Sequence, residues 1–125
     1  MRFKSFLLVA SLLVAQTAFA RAQESGADRG KVLFQQQCGA CHQVAQPRNG
    51  VGPTLQGVIG RAAGSVQGFN YSPALKSSGI TWTRETLDSF IVNPSAPVRG
   101  TRMSQRVPDQ QKRQDIIEFL AAPAP

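Results

Sequence analysis

The chain has 125 residues, enough for one domain and no more. It carries 14 basic and 7 acidic side chains, a formal charge of +7, with two cysteines and one histidine. That inventory leaves a zinc site without its fourth ligand, and the sequence has no repeats, low-complexity tracts or long charge runs.

The first 20 residues have the three parts of a secretory signal. Arg2 and Lys4 form a basic start, Phe6 to Ala15 is an apolar run interrupted by Ser11, and Ala18-Phe19-Ala20 suits cleavage. Cleavage after Ala22 fits almost as well. An uncleaved anchor is the alternative, but the apolar run is about half of the ~20 residues that a spanning helix needs. Loss of Arg2 and Lys4 lowers the charge to +5, and loss of Met1 leaves Met103 as the only methionine. Residues 21–125 then form a single domain. Its core is modest, with Phe34, Phe69, Tyr71, Trp82, Phe90 and Phe119 as its large aromatics.

The first predicted helix runs from about Asp28 to Cys38. Gly30, Leu33, Phe34 and Gln37 fall at helical spacing, and Asp28 suits the first turn. Cys38-Gly39-Ala40-Cys41-His42 follows. Two thiols three positions apart, then an imidazole, form the signature of covalent haem attachment. The thiols can add across the two vinyl groups of one porphyrin, and the adjacent histidine can reach the iron. Two alternatives stand beside this: a disulfide in an oxidising compartment, and a thioredoxin-like redox pair. The redox pair belongs in a strand–helix context, and no alternating strand pattern is present here.

Gln46 to Gly68 and Asn93 to Arg102 are rich in glycine and proline and read as loops. Loops of this length are usually functional, and a flat prosthetic group would give them something to pack on. Between them, Ser72-Pro73 and Gly79 suggest one or two helical turns between Tyr71 and Ser78. A helix starts at the N-cap Thr83, presents Leu87, Phe90 and Ile91 as one stripe, and stops at Asn93-Pro94. The last helix starts near Pro108-Asp109 and turns Ile116, Ile117, Phe119 and Leu120 inward.

Taken together, these motifs resemble a class I cytochrome c of the small soluble mitochondrial-like and bacterial type, from about Gly30 to Ala121. The likeness rests on Gly30-x-x-x-Phe34-x-x-x-Cys38-x-x-Cys41-His42, Gly52-Pro53-x-Leu55, Gly60-Arg61, Gly68-Phe69-x-Tyr71, Gly79-Ile80-Thr81-Trp82, Asn93-Pro94, Gly100-Thr101-x-Met103 and Asp115-Ile116-Ile117-x-Phe119-Leu120. It implies an all-α fold in which three main helices, short helical turns and long loops wrap one covalent haem. Cys38 and Cys41 would carry the thioether bonds, with His42 and Met103 as the two iron ligands. Pro53 would accept a hydrogen bond from the far nitrogen of His42. Arg61, Tyr71, Trp82 and Thr101 would surround the propionates. Gly30, Phe34, Ile116 and Phe119 would form the crossing of the first and last helices. For Met103 on its own, an ordinary core methionine is the competing reading.

The sequence departs from the family on the methionine side. Phe90 replaces a tyrosine, Leu75 an asparagine, and Gln105 a common aromatic, so the edge there is expected to be open or packed on a different partner. Ser95, Ala96, Arg99 and Arg102 replace residues that include lysines, so a lysine-for-methionine ligand exchange at high pH is expected to be suppressed, or to use Lys76 or hydroxide.

The resemblance implies an exported, monomeric electron carrier, placed in the bacterial periplasm or another extracytoplasmic compartment. Its partners would be redox proteins with acidic docking surfaces, met by Arg99, Arg102 and Arg106, with Lys76 nearby. Export argues against nucleic acid as the target of this charge. The competing class is a haem enzyme or ligand sensor with a labile distal position. A further alternative is a c-type subunit of a dehydrogenase or oxidase.

Overall fold

The computed structural model describes residues 23–123. The expected signal segment, with both cleavage points, lies outside them. Four helices follow in chain order: α1 (Gly26–Gln37), α2 (Pro73–Lys76), α3 (Arg84–Val92) and α4 (Gln110–Ala121). The described residues form no strand, only an isolated antiparallel bridge between Ala62 and Thr81.

Helix α1 begins two residues before the expected Asp28. Ser25 is its N-cap, accepting from the Asp28 amide at 3.1 Å, while the Asp28 carboxylate accepts from the Ser25 amide at 3.3 Å. This reciprocal capping box satisfies two amides that the first turn leaves unpaired. Asp28 is therefore in the first turn, as expected, but at its third position. The helix ends at Gln37, with Cys38 as its C-cap donating to the Phe34 carbonyl.

The other boundaries follow their caps. Ser72 caps α2 with Pro73 at its first position, Thr83 caps α3, and Asp109 caps α4 by accepting from the Lys112 amide at 2.9 Å.

Helices α1 and α4 make the tightest crossing. A Cβ on Gly30 would fall on the Asp115 carbonyl oxygen and press on Phe119, so only glycine lets the two backbones meet. Phe34 and Phe119 stack beside it with ring centroids 5.5 Å apart. Arg29 then grips Asp115 with two 2.9 Å bonds, and the Asp115 side chain is only 6% exposed. The Arg29 bonds hold its carboxyl below the usual carboxylate range. Helix α3 packs on α4 and on the loops through Leu87, Phe90, Ile91 and Ile117, joined by Val58, Trp82 and Val98. Trp82 meets Phe90 edge-on at 5.0 Å. The long loops complete the wall around the space left between these layers.

Candidate functional site

Past the end of α1 the chain makes one more turn. The amides of Cys41 and His42 both donate to the Cys38 carbonyl at 3.0 Å, which gathers the two thiols and the imidazole. The following loop folds back on this turn. Gly52 donates to the Cys41 carbonyl and Leu55 to the Gln43 carbonyl, both at 2.8 Å. Thr54, buried between them, donates to the Gln46 carbonyl at 3.0 Å, and its amide donates to the Asn49 side chain at 3.0 Å. The Pro53 carbonyl is thereby set 2.8 Å from Nδ1 of His42. A Cβ on Gly52 would lie 2.7 Å from that same nitrogen, so glycine gives the ring its space.

These contacts decide the state of the imidazole. A carbonyl only accepts, so Nδ1 carries the proton and Nε2 keeps its lone pair. Burial pulls the His42 pKa below its ordinary value, which favours the neutral ring that can bind a metal. Burial pushes the Cys38 thiol up to about 11, so it remains protonated near neutral pH. Neither cysteine is in a disulfide.

A cavity of about 800 Å³ opens against this turn. Cys38, Cys41, His42 and Pro53 line it from one segment, Tyr71 and Leu75 from another, and Thr101 and Met103 from a third. Arg61 and Trp82 line a smaller inner pocket of about 70 Å³ with Phe90. This pocket shares His42, Pro53, Tyr71 and Leu75 with the large cavity. The nine expected site residues thus converge on two adjoining spaces. Met103 is half-buried and packs on the core cluster.

Some contacts were not legible in the sequence. Arg61 donates to the carbonyls of Thr54 at 2.7 Å and Gln56 at 3.1 Å, so its guanidinium also braces the Pro53 loop. The Tyr71 hydroxyl accepts from the Val66 amide at 3.3 Å. Gln105 has a polar partner, donating to the Gln37 side chain at 2.9 Å at the cavity's edge. Thr54 and Asn49 carry no motif of their own; their one signal is proximity to Gly52-Pro53-x-Leu55.

The cavity suits a flat, largely apolar group that carries a metal. Its volume lies within the range of about 300–1,000 Å³ typical of cofactor sites. The residues that carry two thiols, an imidazole and a thioether line one space whose walls include Val51, Phe69 and Leu75. The family model for cytochrome c matches residues 27–122. The chain belongs to the cytochrome c family. It is 41% identical to a cytochrome c2 from Blastochloris viridis over 115 residues, 90% of each chain. It is 47% identical to a cytochrome c2 from Rhodomicrobium vannielii over 95 residues, 74% of this chain and 75% of that one. The solved structure of cytochrome cH from Methylobacterium extorquens superposes with a TM-score of 0.70 at 42% identity, covering 75% of this chain and 95% of that one. The class I cytochrome c fold expected from the motifs is the fold observed. A cytochrome c of this family carries covalently bound haem c, and Cys38-x-x-Cys41-His42 fits the attachment motif.

Proposed function

We propose that this cytochrome c is exported through residues 1–20, or 1–22, and works in the bacterial periplasm as a monomeric single-electron carrier, residues 21–125 forming the working domain. The family transfers electrons and does not convert a substrate, so the enzyme and sensor readings are not favoured. Haem supplies a metal that takes up and returns one electron. Cys38 and Cys41 would hold it covalently, and His42 and Met103 would be the two protein donors to its iron.

The observation that carries this reading is the 2.8 Å contact between His42 Nδ1 and the Pro53 carbonyl. It holds the tautomer that offers Nε2, and it strengthens the ring as a donor. Met103 lines the same cavity and supplies the soft second donor that raises a reduction potential. Tyr71 and Thr101 in the large cavity, with Arg61 and Trp82 in the inner pocket, are assigned to the propionate end. Buried carboxylates there need donors and positive charge. Two fixed protein ligands mean little rearrangement with each electron, which suits a carrier.

Redox partners follow from the family. The finer assignment is an acidic docking surface met by exposed Arg99, Arg102 and Arg106, giving transient encounters that weaken steeply with salt. No described helix is long and apolar enough to cross a membrane.

The ferric spectrum of haem-loaded protein tests the assignment. A weak sulfur-to-iron band in the red is expected, and Met103→Ala is expected to remove it. High-spin bands without it, and carbon monoxide binding to the reduced wild type, would return the site to the labile enzyme or sensor class.

A further inference from the structure

The segment that carries Met103 is built without a main-chain framework. Among the described residues, Thr101 donates to the Val98 carbonyl and Val107 to the Ile91 carbonyl, but residues 102–106 make no backbone–backbone hydrogen bond. The Met103 amide has only a long 3.4 Å contact to the Thr101 hydroxyl. Side chains hold this stretch instead. Arg102 donates to the Asn70 carbonyl at 2.8 Å and Gln105 to Gln37, but both arginine and glutamine are exposed.

The buried tether is Arg113 on α4. Its side chain is 9% exposed, and its guanidinium donates to the carbonyls of Val107 at 3.1 Å and Pro108 at 2.7 Å. Asp88 on α3 accepts from its Nε at 2.8 Å and orients the group. One charged, planar side chain therefore joins two helices to the downstream end of the methionine segment. Charge-assisted bonds made by a buried, rigid fork are the strong kind, and a buried arginine without its partner is costly.

We propose that Arg113, oriented by Asp88, is a positioning residue for Met103: it fixes the downstream end of residues 102–106 so that the thioether stays in the cavity. The proposal rests on the reading of Met103 as an iron ligand. Neither Arg113 nor Asp88 lines the cavity, so both act through the loop.

Exogenous imidazole tests it, because it binds ferric haem only when methionine is displaced, and its apparent affinity reports the fraction of released methionine. In haem-loaded protein, Arg113→Lys is expected to tighten imidazole binding about tenfold and Asp88→Asn about threefold, with helical circular dichroism unchanged. Arg84→Gln removes an exposed pair (Arg84 and Glu118, 48% and 53% exposed) and is expected to leave the affinity at the wild-type value. If Arg113→Lys does not accumulate, Asp88→Asn decides. Lower unfolding midpoints with imidazole affinity equal to that of Arg84→Gln would overturn the proposal, leaving Arg113 a purely structural residue. A wild-type ferric spectrum without the sulfur-to-iron band would overturn the reading of Met103 and this proposal with it.

Discussion

The histidine side and the methionine side of the cavity are held by different means. Around His42, the main chain does the holding: Cys38, Cys41, Gly52 and Leu55 are stitched within 18 residues of sequence, and Pro53 receives the ring. Around Met103, five residues lack such bonds; side chains from α1 and α4 hold the stretch, and Arg102 reaches out to the Asn70 carbonyl. A ligand held by nearby backbone is hard to release by any single surface change. One held by distant side chains can be tuned by substitutions that never touch the cavity.

The largest effect expected is on the histidine side. His42→Ala leaves the Pro53 carbonyl without its partner and removes the imidazole, and no low-spin spectrum is expected in whatever haem protein accumulates. A low-spin spectrum in that variant would show that the stitched turn is not the seat of a ligand.

Gly30→Ala tests the frame that carries both sides. Its Cβ would strike the backbone of α4, and overpacking of this kind should cost about 3 kcal/mol in a urea titration followed by Trp82 fluorescence. A near-neutral result would mean that α1 can slide on α4, loosening both sides together.

Acid is expected to act on the same crossing. Asp115 has its pKa lowered in the folded state, so its contribution is complete above the ordinary carboxylate pKa and is lost as pH falls through the folded value. Stability of the wild type should therefore fall below about pH 4. Asp115→Asn should be less stable at neutral pH and show a shallower acid slope. Equal slopes in urea midpoints taken between neutral and acid pH would remove Asp115 from that role.

The smallest effect concerns the methionine side at high pH. Among the described residues, the one lysine next in sequence to a cavity-lining residue is Lys76, beside Leu75 at the end of α2. Lys76→Ala should show no lysine-ligated ferric form on alkaline titration. Persistence of that form would defeat this expectation, since a more distant lysine would then have to replace methionine.

The starts of α2, α3 and α4, the Thr83 cap and the stripe Leu87-Phe90-Ile91 were readable, because each is a local pattern with a local consequence. The start of α1 lies two residues before the expected one, because Asp28 suits any place in the first turn and only the capping box with Ser25 puts it third. Gln105 was legible as a departure from its family but not as a bond, since Gln37 lies 68 positions away. Arg113 carries no motif at all.

By itself, the sequence determined the family and the covalent cofactor, and it named the candidates for binding iron. Each of these depends on residue types at short, fixed spacings, which one turn of chain translates directly into chemistry. The tertiary structure decided which atoms hold which. It turned the Pro53 carbonyl onto His42, set Arg61 against the Pro53 loop and brought Arg113 to the segment after Met103. Those pairings join groups far apart in sequence or depend on which way a loop faces. Packing of the whole chain sets them, and no local pattern encodes them.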